Sequence, residues 1–420
     1  MNRRDFLRSS ALAAAAGPAS WVHSAFSGPA LWTRRASRLG PSDTVRLAIL
    51  GAGSRGRDMM RHFLRSPGVE FTAVCDIHEP RFGQARRITG TDTPVYADHH
   101  RLLEASSEYD AVVVATPLGH HRDHVTAAID AGLHVYGEKS LALTREGCDE
   151  IRSRVLESDR IFQIGHQYRY AGWYREAVRR IHAGEIGRVT HIQAYWHRNY
   201  NWRRPVPHPD LEKLINWRLY RELSGGLLAE LGSHHIETAN WIFGAVPERA
   251  VGSGAITFYR DGRETFDNVQ VIFDYPDGRR LFFSSIIGNR SIGFQIRVFG
   301  TTGTVVLTLQ DGHIYYEAAA DNSAIPEEVR NDPRRTSPSL ATDGDMPFRG
   351  AGIPIETPAE LRGDPSTLAA SAFVESLRTG ARPAGDIHVG WGSGYAVAAG
   401  NEALRSGETV HLVPQNELTR

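Results

Sequence analysis

The run Val45-Arg46-Leu47-Ala48-Ile49-Leu50, followed by Gly51-Ala52-Gly53-Ser54-Arg55-Gly56, constrains the fold more than any other part of this chain. An apolar strand pattern ends in a G-x-G-x-x-G loop, and a polar segment of helical character follows. Gly51 permits the tight turn, Gly53 lets the backbone approach a pyrophosphate with no Cβ in the way, and Gly56 lets the helix pack close to the strand. The N-terminus of that helix, carrying Ser54 and Arg55, offers free N–H groups to phosphate oxygens. A second apolar run, Val69 to Cys75, ends at Asp76, twenty residues beyond Gly56. An acid there accepts hydrogen bonds from the adenosine ribose hydroxyls and repels a 2′-phosphate. The pattern points to a dinucleotide site that favours NAD(H) over NADP(H), with Arg81 close enough in sequence to argue the other way.

Residues 43–164 continue as alternating strands and helices, which implies a parallel sheet covered on both faces. Ala111 to Ala115 is a buried-strand run ending at Thr116-Pro117, and the helix from Arg122 to Ala131 closes at Gly132. Leu133 to Tyr136 delivers Gly137-Glu138-Lys139-Ser140; Thr144 caps the next helix, and Ile161 to Ile164 forms another strand. Ligands lie beyond the carboxyl ends of such strands, so Gly51–Gly56, Asp76, Thr116–His121 and Lys139 should line one crevice. Residues 165–420 differ in texture. A helix from Trp173 to His182 precedes alternating segments at 189–198, 250–259, 268–274, 280–287, 293–300 and 304–309, punctuated by Asp-Gly pairs. This predicts an α+β domain on a largely antiparallel open sheet. Residues 318–365 read as a surface excursion, and helices at 366–378 and 391–405 finish the chain. The expected fold class is α/β: a Rossmann dinucleotide-binding domain followed by an α+β domain for substrate and oligomerisation.

The first 42 residues are read apart from the fold. Asn2-Arg3-Arg4-Asp5-Phe6-Leu7-Arg8 is a twin-arginine pattern, with a mildly apolar run from Ala11 to Gly17 behind it. Such signals are addresses read by the machinery that exports folded proteins, so a periplasmic location is expected. The run is too short and alanine-rich to span a bilayer. Export in the folded state suits a cofactor inserted beforehand and held tightly. Lys+Arg and Asp+Glu both total 48, which favours neither nucleic acid nor any other polyanion as a partner. The two cysteines, Cys75 and Cys148, form no C-x-x-C pair and indicate no disulfide framework.

Three further patterns resemble the glucose-fructose oxidoreductase / inositol dehydrogenase (Gfo/Idh/MocA) family. Thr116-Pro117 followed by His121 resembles its T-P-x-x-x-H loop beside the nicotinamide. Gly137-Glu138-Lys139-Ser140 resembles its E-K-P motif, with Ser140 in place of proline. Gly225-Gly226-Leu227-Leu228-Ala229-Glu230-Leu231-Gly232-Ser233-His234-His235-Ile236-Glu237 resembles its G-G-x-x-x-D-x-G-x-H-x-x-D helix, with Glu230 and Glu237 in place of aspartates. The resemblance runs over nearly all the chain beyond the signal. It implies that Thr116, Pro117, His121, Glu138 and Lys139 contact the cofactor and that Lys139 and His234 share acid–base work. The spacing alone places Glu230 four residues before His234, on one helical face, where a carboxylate orients an imidazole and raises its basicity. Lys139, at a strand end facing the crevice, is expected to have a lowered pKa.

The stretch from Tyr195 to Arg218 interleaves aromatic and donor side chains: Trp196, His197, Arg198, Asn199, Tyr200, Asn201, Trp202, Arg203 and Arg204, later Trp217 and Arg218. Aromatic faces with fixed donors suit carbohydrates; an aromatic-rich oligomer interface is the competing reading. His166, Tyr168, Arg169, His197, Trp202, Arg203, Trp217, Arg218 and His235 are the expected substrate contacts. Histidine doublets at His99-His100, His120-His121 and His234-His235 lack metal-ligand spacing, so no metal is expected. The expected function is oxidation of a secondary hydroxyl of a sugar, glycoside or cyclitol by hydride transfer to NAD. The alternative is a glycosidase that keeps NAD bound and passes through transient oxidation, elimination, hydration and reduction. An open sheet with a strongly apolar face would need covering, so a homodimer or homotetramer is expected.

Overall fold

The computed structural model describes residues 40, 43–317 and 352–412. The Arg3-Arg4 signal and most of the 318–365 excursion lie outside the described residues. Six strands, β1 (Val45–Leu50), β2 (Val69–Cys75), β3 (Val95–Tyr96), β4 (Ala111–Val114), β5 (His134–Gly137) and β6 (Phe162–Ile164), form a sheet in the order β3-β2-β1-β4-β5-β6. Every pairing is parallel. All four residues of β4 are buried, because helices cover both faces of such a sheet and leave its central strands no polar side. The order reverses between β1 and β4, so the Gly51 turn opens at the switch point where ligands bind in this architecture.

The helices that matter for the site are α1 (Ser54–Phe63), α2 (Pro80–Thr89), α3 (His99–Glu104), α4 (His121–Asp130), α5 (Arg145–Glu157), α6 (Gly172–His182), α7 (Ser233–Phe243), α8 (Pro365–Thr379) and α9 (Ile387–Ser406). In α1, Gly56, Met59, Met60 and Phe63 are buried, a helical stripe that faces the sheet. Phe63 meets Tyr136 edge-on at 5.3 Å and Phe373 of α8 at 6.1 Å. Burying one such ring stabilises the fold by about 1.5–3 kcal/mol. Ala370, Phe373, Val374 and Leu377 of α8 share this core with β1 and α1. A division of the chain at residues 164 and 165 would leave α8 in the second domain, yet its side chains pack in the first. Thr144 caps α5 by accepting from the Gly147 N–H.

The second sheet has nine strands in the order β14-β13-β12-β11-β7-β10-β9-β8-β15. These are β7 (Val189–His197), β8 (Arg249–Ala255), β9 (Asn268–Asp274), β10 (Arg280–Ile286), β11 (Phe294–Gly300), β12 (Gly303–Leu307), β13 (Gly312–Tyr316), β14 (Ile353–Pro354) and β15 (Val410–His411). Its pairs are antiparallel except β7–β10; α7 lies on the crossover between those two, which a parallel pair requires. Ile192, Ala194, Val271, Phe273, Leu281, Phe283, Ile296 and Val298 are buried and join α7 and α9 in one core. The opposite face corrects the expectation of a strongly apolar surface. Phe282 stands between Ile272 and Gln193, Ser284 between Gln270 and Tyr195, and the Tyr195 hydroxyl donates to Gln193 Oε1 at 3.0 Å. The face mixes aromatic and amide groups. Among the described residues, no helix is long and apolar enough to cross a membrane. Cys75 and Cys148 are buried free thiols.

Candidate active site

The carboxyl ends of β1, β4 and β5 meet the loop after β7 across a cleft of about 630 Å³. Its floor begins at the glycine turn, where each glycine has a different steric reason. A Cβ on Gly56 would lie 1.9 Å from Gly51 O, and one on Gly51, whose φ is +93°, 2.6 Å from Ala115 O. A Cβ on Gly53 would meet nothing within 4 Å. Two glycines are therefore demanded by the fold, whereas the space over Gly53 is left clear for something else. Gly53 begins α1 without a side-chain cap, and no acid stands in the first turn, so the helix N-terminus keeps its N–H groups for an anion. This cradle fits a dinucleotide pyrophosphate. Ser54, Arg55, Thr116, His121, Glu138 and Lys139 line the cleft beside it.

Asp76 is 5 % exposed. Its carboxylate accepts from the Ala52 N–H at 2.8 Å and the His78 N–H at 2.8 Å, and Arg81 donates to both oxygens at 3.1 and 3.2 Å. Asp76 thus braces the glycine turn, and Arg81 balances part of its charge. Arg55 Nε donates to Glu138 Oε1 at 2.8 Å, tying α1 to the end of β5. His121 sits with Nδ1 2.8 Å from Ser140 O and Nε2 3.0 Å from Thr116 O, bridging the loops after β4 and β5. Pro117 starts the short 3-10 turn Leu118–His120. The Lys139–Ser140 peptide is cis.

Lys139 Nζ donates to the backbone carbonyl of Glu230 at 2.8 Å. Burial pushes its pKa below the usual lysine value, against the pull of Glu230 and Glu138. His234 is 4 % exposed, lines the cleft, and has no hydrogen-bond partner at Nδ1 among the described residues. Burial, and then the Lys139 cation, hold its pKa well below that of a free imidazole. The expected Glu230–His234 couple does not form. Leu228–Gly232 is a π-helical turn that precedes α7, and such a turn, with its i→i+5 bonds, narrows the angular step per residue that an α-helical i,i+4 pairing assumes. The Glu230 carboxylate instead accepts from Arg218 Nε at 2.8 Å. Although burial alone would raise its pKa, Arg218 and Lys139 hold it below the usual glutamate value. The backbone of Glu230 positions Lys139; its side chain positions Arg218.

The substrate candidates divide by parity along β7. Ile192 and Ala194 point into the core, so even-numbered residues face inward. Trp196, Arg198, Tyr200, Trp202 and Arg204 all line the cleft, with Trp217 and Arg218 opposite. Odd-numbered His197 turns to the outer face and meets Ser284 Oγ at 3.1 Å. Arg203 is taken by Glu212 Oε1 at 2.6 Å and the Asp261 carbonyl at 2.6 Å. Arg169 is ion-paired to Glu237 and covers the Trp241 ring at 4.6 Å. His235 is fully buried, with Nδ1 3.3 Å from Leu231 O. These four are structural and do not line the cleft. His166 and Tyr168 stand one layer behind it: His166 Nε2 is 2.8 Å from Ser393 Oγ, and Tyr168 packs edge-on to His234 at 4.9 Å. Sequence reasoning named Trp196, Arg198, Tyr200 and Arg204 only as part of the aromatic-and-donor stretch and not as contacts; the period-two pattern from Ile192 carries the signal for Trp196, while the other three lie beyond the end of β7. Gln167 and Arg61 also line the cleft, and no local pattern marks them. Away from it, Asp98, His99 and His100 bring ligand atoms within 4.8 Å of one another at the surface.

A parallel sheet with a clear cradle at its switch point, facing a second open-sheet domain across a cleft, defines a two-domain dinucleotide-binding oxidoreductase. Residues 45–166 match the model of the oxidoreductase family with an NAD-binding Rossmann fold, and residues 174–306 match the GFO/IDH/MocA C-terminal domain. The chain belongs to the Gfo/Idh/MocA family. Inositol 2-dehydrogenase 3 of Saccharopolyspora erythraea is 30% identical over 274 residues, 63% of this chain and 73% of that protein. The 2,7-anhydro-N-acetylneuraminate hydratase of Mediterraneibacter gnavus is 27% identical over 299 residues, covering 70% and 75% of the two chains. Among solved structures, the aldose-aldose oxidoreductase of Caulobacter crescentus shares the fold with a TM-score of 0.67 at 21% identity, covering 88% of this chain and 100% of that one. A levoglucosan dehydrogenase in complex with NADH gives 0.69 at 17% identity, covering 88% and 99%.

Proposed function

We propose that the protein oxidises a secondary hydroxyl of a sugar, glycoside or cyclitol with NAD as a tightly held acceptor. The observation that carries this reading is the juxtaposition of Lys139, His234 and the clear cradle over Gly53 along one cleft. When bound, the dinucleotide supplies the two-electron acceptor. The chain supplies the proton handling. A lysine with a lowered pKa is neutral in a larger fraction of molecules and accepts a hydroxyl proton more readily. His234, kept neutral, presents an unsatisfied Nδ1 that fixes or relays that proton. Trp196, Trp202 and Trp217 offer faces for a sugar ring.

The Mediterraneibacter gnavus hydratase favours a second reading, a redox-neutral elimination or hydration that starts with the same oxidation. One experiment decides between the two. Purified protein is incubated with nitrophenyl glycosides and with free sugars and cyclitols, while aglycone release and absorbance at the reduced-cofactor band are followed together. Stoichiometric cofactor reduction by a free sugar supports the dehydrogenase. Aglycone release without net reduction supports the redox-neutral cycle, and neither response with any compound would refute both. Export through the twin-arginine pathway to the periplasm, and pairing of copies through the mixed aromatic face of the second sheet, complete the proposal.

A further inference from the structure

The cationic side chains of the cleft are not equally paired. Arg55 is held by Glu138 and Asp58, and Arg218 by Glu230. Arg198 lines the same cleft and has no carboxylate partner among the described residues. Its guanidinium is partly buried and lies 5.4 Å from the centroid of the Tyr200 ring. Burial and the neighbouring Arg218 both disfavour its charge. A partly buried cation with no carboxylate partner is ready to receive an anion. The place is also specific. Arg198 follows Trp196 by two residues, just beyond the end of β7, and the Trp196 ring is 5.9 Å from that of His234. The unpaired charge therefore lines the same cleft as the proposed proton-handling pair.

Charge arithmetic narrows the ligand. Arg198, Arg218 and Lys139 share the one Glu230 carboxylate there, and Arg61 and Arg204 also line the cleft without a carboxylate partner among the described residues, so the cleft keeps an excess of positive charge. A single planar guanidinium suits one carboxylate, which it binds in a two-point fork; a phosphate is the competing anion that the test distinguishes. We infer that the substrate is a sugar bearing a carboxylate, with its ring against the tryptophans and its carboxylate on Arg198. The inference rests on the oxidoreductase reading and names the substrate class of that same site.

The test uses full-length protein loaded with NADH, so that no turnover occurs. Binding of D-glucuronate, D-galacturonate and D-mannuronate is compared by calorimetry with the matching neutral aldohexoses and with glucose 6-phosphate. At least one uronate should bind roughly 10–100-fold more tightly than its neutral partner, the range for a hydrogen-bonded charged pair. The advantage should shrink as salt rises, collapse in Arg198→Met, and be partly restored in Arg198→Lys. Neutral sugars or the phosphate binding as tightly as every uronate would overturn the inference, as would a preference that survives Arg198→Met. If neutral sugars bind as tightly as every uronate and reduce NAD, the oxidoreductase reading stands while the carboxylate inference falls. If no sugar of any class binds or reduces NAD, both fall.

Discussion

Substituting the three glycines of the turn one at a time separates what the fold needs from what the ligand needs. In Gly56→Ala the new Cβ lies 1.9 Å from Gly51 O, 3.0 Å from Gly51 C and 3.4 Å from Ile49 Cδ1. Two of these atoms are backbone, so α1 must move off β1. Overpacking of this kind costs about 3 kcal/mol, the upper part of the usual range. Gly51→Ala combines φ +93° with a 2.6 Å approach to Ala115 O, adding about 1–3 kcal/mol of backbone strain to the contact. Gly53→Ala differs from both. Its φ of −62° and ψ of −173° suit any residue, and no atom lies within 4 Å of the new Cβ. The only cost to the fold is the weaker N-cap, about 0.5–1 kcal/mol. With about 2–4 °C per kcal/mol for a domain of this size, Gly53→Ala should lower Tm by no more than about 4 °C, and Gly56→Ala by at least about 6 °C. Yet Gly53→Ala should weaken NAD binding by roughly 10–100-fold, because its methyl group occupies the approach to N–H groups that bind a charged ligand. Thermal unfolding of nucleotide-stripped protein and calorimetric titration with NAD give the two numbers. Wild-type NAD affinity in Gly53→Ala would refute the assignment of the cradle, and an unchanged Tm in Gly56→Ala would refute the steric argument.

Lys139→Ala and His234→Ala should each slow turnover by roughly two to four powers of ten with NAD binding intact, and the double variant should be far less damaged than the product of the singles. Burial lowers the Lys139 pKa, so the rate should rise with pH along a limb centred below the ordinary lysine value of 10.5, and that limb should vanish in Lys139→Ala. Burial also lowers the pKa values of His121, His166, His234 and His235; the unfolded chain therefore binds more protons below about pH 6.5, and each group removes up to ~1.4 kcal/mol per pH unit as pH falls. Urea unfolding at pH 7 and pH 5 checks this, and equal midpoints would contradict it. Asp76→Ala should relax the preference towards NADP(H), read from the ratio of the two affinities, and should destabilise the apoprotein by loosening the turn at Ala52. Changing Arg3 and Arg4 to lysine should retain the precursor in the cytoplasm, as scored by cell fractionation, and unimpaired export would count against the twin-arginine signal.

Local sequence determined the elements and the turn chemistry. The β1–Gly51–α1 unit, the cap at Thr144, the strand ends that carry Thr116 and Lys139, and the alternation of the second domain all follow from period, turn residues and close approach, which act within a few residues. Parity was legible too: once Ile192 and Ala194 are seen to be core, Trp196 must share their face of β7, whereas Arg198, Tyr200, Trp202 and Arg204 lie beyond the strand and are brought to the cleft by the tertiary fold. Tertiary structure alone decided which partners those side chains find. Glu230 turns to Arg218 because a π-helical turn replaces the α-helical step and because a segment twelve residues upstream folds back beside it. Arg169 and Arg203 read as free donors in sequence, yet carboxylates on Glu237, Glu212 and the loop at Asp261 claim them. Helix α8 joins the first core from more than two hundred residues away. Pairing of charges and covering of apolar faces depend on distances in space that separation along the chain does not encode, and so a cleft arginine without a carboxylate partner among the described residues, such as Arg198, is visible only in the folded protein.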